Sequence, residues 1–160
     1  MKEQPLGKTV LAGVAGGLAM NVAMLLTFRL LGFGRKGGGI LLDPSLQSPK
    51  LIDVWTRLEP LPLVVSHPLI IIIGLILFGI GHAFVYEWLS RAWPPGLGKR
   101  TWRMALIMFF FSYVFWEFFT PFNQFGEPLP LIGIELFFWA IIALSEALAI
   151  AAVMEGGRRS

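Results

Sequence analysis

The chain has 160 residues, the length of one domain, yet 56% of them are hydrophobic and 14% charged, whereas about a quarter of the residues in soluble domains are charged. A water-soluble fold has no surface for so much apolar side chain, and the absence of cysteine excludes disulfides, thiolate metal centres and cysteine nucleophiles. The formal net charge of +3 does not indicate nucleic acid, because the basic residues flank apolar blocks, where they act as topology signals.

The first block predicts a transmembrane helix over residues 9–31, preceded by Lys2 and Lys8. Its apolar run continues through Met24, Leu25, Leu26 and Phe28, longer than the roughly 7–15 residues of a signal-peptide core, so it is read as an uncleaved span. Gly13 and Gly17, four apart, form a small-residue face for close helix packing, against a helix of this chain or of a second copy. Asn21 continues that face by another turn.

A long outer loop follows over residues 32–67, opening with Gly37, Gly38 and Gly39. Within it, Ser48 and Pro49 form a helix start and Pro60 a stop, predicting an amphipathic helix over 49–59 with Leu51, Val54, Trp55 and Leu58 on one face. Such a helix either lies in the membrane interface, covers the mouth of the membrane domain, or packs as an ordinary loop helix.

Three further blocks predict helices over 68–90, 102–122 and 129–154, each near the roughly 20 residues that the hydrocarbon layer requires. Backbone groups in lipid must bond internally, and the blocks lack the alternation of barrel strands. The expected fold is therefore an all-α integral membrane protein, one membrane domain over 1–160, built as an antiparallel bundle of four transmembrane helices with the amphipathic helix in its first loop. Counting Lys and Arg places Lys2, Lys8, Arg91, Lys99, Arg100, Arg103, Arg158 and Arg159 on one side and Arg29, Arg35, Lys36, Lys50 and Arg57 on the other. The richer side is cytoplasmic by the positive-inside rule, which puts both termini there and the protein in the inner (plasma) membrane. Trp88, Trp93 and Trp102 flank the basic loop as an interfacial belt does.

Polar groups inside apolar blocks are the informative ones, since each is costly to bury and turns toward a partner or a water-filled space. Glu135 and Glu146 are eleven residues apart, about three turns, so they share a face some 16 Å apart along the axis. Depth matching puts Glu117 with Glu135, Tyr113 and a counter-ion Arg29 in an outer layer, and His82 with Glu146 and Tyr86 in an inner one. Such layers serve as stations for protons, or as polar contacts that fix helix register. The turn after the third helix is expected to expose Asn123, Gln124 and Glu127 on the outer side.

No Glu-x-x-His pair of the di-iron kind occurs, so no metal site is expected. His82, beside Gly79 and Gly81, is a candidate axial ligand for haem or (bacterio)chlorophyll, although no cofactor is expected overall. Neither a nucleophile elbow, a phosphate loop, a dinucleotide fingerprint nor a zincin motif is present, and an enzyme is not the expected reading. Two functional readings follow from the residues. The first is a small membrane module acting by association, with itself or as an accessory subunit among other membrane subunits; the second is proton-linked transport or permeation through intramembrane Glu and His.

Overall fold

The computed structural model describes residues 5–34 and 38–156; Lys2, Arg35, Lys36, Gly37, Arg158 and Arg159, which entered the readings above, lie outside the described residues. Every regular element among the described residues is helical. In chain order these are α1 (Leu6–Gly32), α2 (Pro49–Thr56), α3 (Leu63–Ser66), α4 (Pro68–Ala92), α5 (Leu97–Phe125) and α6 (Leu129–Glu155). α1, α4, α5 and α6 are long and apolar enough to cross a membrane, the composition of a multi-pass membrane protein in a lipid environment.

Proline sets several of the starts. Pro49 and Pro68 occupy the first turns of α2 and α4, where a missing N–H breaks no helical bond, and α6 carries Pro130 in the same position. Two basic residues expected in a loop are instead helical, because α5 begins at Leu97 and takes in Lys99 and Arg100. Arg100 is 5% exposed: its guanidinium pairs with Glu155 and donates to the carbonyl oxygens of Pro94 and Trp93. Trp88 and Trp102 are exposed near this end, while Trp93 packs edge-on against Tyr86.

α1 packs against both α4 and α6, and α5 packs chiefly against α6. Gly13 and Gly17 face α4 of the same chain: a Cβ on Gly13 would lie 2.3 Å from the Cα of Ile80, and one on Gly17 2.5 Å from the Cα of Ile76. On α4, a Cβ on Gly79 would lie 2.6 Å from the Gly13 carbonyl oxygen, so the room beside His82 on that side holds a helix backbone. Asn21 donates to the carbonyl oxygens of Gly17 and Ile72, tying the same two helices. α6 carries the longest buried face, which includes Glu135, Trp139, Ile142 and Glu146.

α5 is not a uniform α-helix. Met104 and Met108 are buried one turn apart, but the next buried residue is Tyr113, five positions on, because residues Phe109–Val114 form a wider π turn. Glu117 and Pro121 then follow at intervals of four, with a second π stretch over Phe118–Phe122 accommodating the proline inside the helix. The wide turns rotate Tyr113 and Glu117 inward, while Phe110, Phe111, Phe115 and Trp116 remain exposed to the lipid side.

Candidate functional site

The layer expected on the outer side is built from three elements. Glu117 comes from α5, Glu135 from α6, and Glu127 from the turn between them. Gly126, at φ +65, reverses the chain in the left-handed region that favours glycine, and the Glu127 amide bonds back to the Pro121 carbonyl oxygen. The reversal turns Glu127 inward. It is 1% exposed, a correction to the expectation of a solvent-facing residue, whereas its neighbours Asn123 and Gln124 are exposed. The three carboxyl groups offer oxygens that all lie within 4.8 Å of one another. Absence of a Glu-x-x-His pair gave no hint of this cluster, which spacing along one helix cannot reveal.

Two donors reach the cluster. The Trp139 indole N–H donates to Glu117 Oε1, and the Gln47 side-chain amide donates to Glu127 Oε1. Glu117 Oε2 and Glu127 Oε2 are buried, and no amide, hydroxyl or indole among the described residues donates to them. Burial holds the Glu127 carboxyl above its ordinary 4.5, opposed by the Gln47 hydrogen bond and reinforced by the charge of Glu117.

The outer loop closes over this layer. Asp43 accepts from the Ser45 hydroxyl and amide, which holds its carboxyl below the ordinary 3.8 and fixes the turn that leads to Gln47. Gln47 is 4% exposed and also donates to the Leu41 carbonyl oxygen. Ser48 caps α2 by accepting from the Leu51 amide, and its hydroxyl donates to the Phe125 carbonyl oxygen at 2.8 Å. Lys50 donates to the Gln124 carbonyl oxygen. α2 therefore sits on the end of α5, with Leu51 buried, Trp55 against Phe33, and Leu58 exposed beyond the helix end. Ser48→Ala is expected to lose about 1 kcal/mol locally; amide exchange should quicken across 41–56 while α6 exchanges as before.

The inner layer lies deeper. His82 Nδ1 is 2.9 Å from Glu146 Oε1, and the Tyr113 hydroxyl donates to Glu146 Oε2 at 3.5 Å. Tyr113 thus belongs with Glu146 and not with the outer carboxyls, a displacement that follows from the π turn of α5. Its ring stacks on Trp139 at 4.5 Å and 10°, so one aromatic pair separates the two layers. The His82 ring also lies against Phe78, with centroids 4.2 Å apart. Tyr86, expected here, donates instead to Glu155 at 3.2 Å, nearer the inner end. At that end Glu87 accepts from Thr9 and pairs with Arg91.

Arg29 does not serve as the counter-ion. It lies on the exposed side of α1, and among the described residues it forms no ion pair and no cation is paired with the outer carboxyls. Asn21 stays in the α1–α4 contact, away from both layers. Residues that sequence reasoning missed are Glu127 and Gln47, both in turns or loops without periodicity, and Trp139 as a donor. Comparison with protein-family models, curated proteins and solved structures finds no match for this chain.

Proposed function

We propose that this chain is a proton-conducting or proton-linked transporter of the inner (plasma) membrane. In this reading it is an antiparallel four-helix bundle with its ends on the cytoplasmic side. The bundle geometry is supported by pairs in which rising numbers on one helix meet falling numbers on the next: Thr9 with Glu87, Gly13 with Ile80 and Gly17 with Ile76. Arg100 with Glu155 and Tyr113 with Glu146 repeat the pattern between α5 and α6.

The observation that carries the function is the juxtaposition of Glu117, Glu127 and Glu135 in a buried layer to which no cationic side chain among the described residues is paired. Carboxylates at this separation repel strongly in a medium of low dielectric, and a proton held between two oxygens relieves the repulsion. A layer of this kind takes up and releases protons. The His82–Glu146–Tyr113 group supplies a second station, where imidazole and carboxylate exchange a proton across one hydrogen bond. Intramembrane acids and histidines in series are the physical form of a proton relay.

The test is proton uptake into liposomes driven by a potassium diffusion potential and read by an internal pH dye. Wild-type protein should acidify the lumen faster than empty liposomes, and Glu135→Gln and Glu146→Gln should each cut the rate at least about tenfold with helical content and elution volume unchanged. Wild-type flux no greater than that of empty liposomes, or equal flux in all three proteins, removes the proposal.

The association reading keeps one supporting observation. α4 presents Leu69, Ile73, Leu77 and Trp88 outward, a face suited to lipid or to another membrane helix. The glycine pair no longer contributes to that reading, since it is buried against α4 of the same chain.

A further inference from the structure

We propose that Glu117, Glu127 and Glu135 form a binding site for one hard divalent cation, of the magnesium, manganese or calcium class. The cluster of acids alone would not establish it. The second observation is that Glu117 Oε2 and Glu127 Oε2, on side chains each 1% exposed, receive no hydrogen bond from an amide, hydroxyl or indole among the described residues, Trp139 and Gln47 being engaged on the companion oxygens. Each orphaned oxygen belongs to a carboxyl whose other oxygen is fixed by a protein hydrogen bond, an arrangement that orients a ligand atom. A buried acceptor without a donor carries a desolvation cost that a cation between the oxygens removes.

The spacing suits such an ion. Oxygens around a cation at about 2.1–2.4 Å lie roughly 3 Å apart when adjacent and 4–5 Å when opposed, and the three ligand atoms here all fall within 4.8 Å. The donors are carboxylates, without cysteine or histidine, which favours hard cations over copper or zinc. Three carboxylates exceed the charge of one divalent ion by one, and Lys50 of the loop is directed to the Gln124 carbonyl oxygen instead. Gly126 and Pro121 fix the turn that delivers Glu127, and Gln47 of the outer loop orients it, so the loop completes the site from above.

The inference rests on the acidic layer of the proposed function, but on its geometry and not on any flux. A chain that binds the ion without moving protons is therefore told apart from one that moves protons without binding it. The experiment titrates the purified full chain in detergent with Mn2+ and follows the loss of the free-ion electron paramagnetic resonance signal. One Mn2+ per chain is expected, displaced by excess Mg2+ or Ca2+. Glu127→Gln and Glu135→Gln should weaken binding by about 30-fold or more, while Glu146→Gln, in the other layer, should bind as wild type does. Wild-type protein that takes up no stoichiometric Mn2+ at millimolar concentration overturns the proposal whatever the variants do, and so does an equal weakening by Glu146→Gln.

Discussion

Replacing Gly13 by leucine is expected to force α1 off α4 and to lower the thermal unfolding midpoint in detergent more than any exposed substitution on either helix. The reason is that the obstacle is backbone. A Cβ at residue 13 would sit 2.3 Å from the Cα and 2.8 Å from the amide nitrogen of Ile80, and no rotamer change relieves a clash with main chain. Ordinary overpacking costs about 1–3 kcal/mol because side chains yield; here whole helices must separate, so the cost should exceed that range. Separation also breaks the Asn21 bond to Ile72 and the Thr9 bond to Glu87. In lipid there is little hydrophobic drive to return the helices to contact, since acyl chains cover apolar faces equally well. Gly74→Leu on α4 is the control: nothing lies within 4 Å of a Cβ there, and its midpoint should match wild type. Equal midpoints for Gly13→Leu and Gly74→Leu would refute the close approach.

Arg100→Met is expected to destabilise the chain by about 3 kcal/mol, the lower part of the range for removing one partner of a buried ion pair. The lower part applies because the Glu155 side chain keeps 17% of its surface exposed, while that of Arg100 keeps 6%. Loss of the guanidinium removes its ion pair with Glu155, which the Tyr86 hydroxyl still reaches at 3.2 Å, and removes the donors to the Pro94 and Trp93 carbonyl oxygens. Glu155→Met alone should be comparably harmful. The double replacement should recover a large part of the loss, because two apolar side chains tolerate this partly buried site better than half of the ion pair. A double-mutant cycle on unfolding in mixed detergent measures the coupling; strictly additive losses would show that the pair does not act as a unit.

The spans were readable from composition because hydrocarbon imposes a length and forbids unpaired backbone, two demands that mark a sequence over some twenty residues at a time. The start of α2 was readable for a local reason, a serine cap followed by proline. The acidic layer was only half legible. Glu117 and Glu135 stood out as charges in apolar blocks, but Glu127 sits in a polar turn, and its burial depends on the backbone reversal at Gly126 and on Gln47, eighty positions earlier in the chain. Depth counting along a regular 3.6-residue helix put Tyr113 in the outer layer and failed there, since α5 is not regular at that point. Arg29 was assigned by depth alone, and depth says nothing about which way a side chain faces.

The wide turn at Phe109–Val114 makes the two halves of α5 separately phased. One half meets α6 through Met104 and Met108, the other through Tyr113 and Glu117, and the single extra residue between them sets the angular offset. Shortening that stretch by one amino acid would restore a continuous spiral and swing the whole distal half by about 100°, carrying Glu117 toward the acyl chains without altering any residue that touches it. Homologues lacking that extra position would thus be expected to carry their acid one place along.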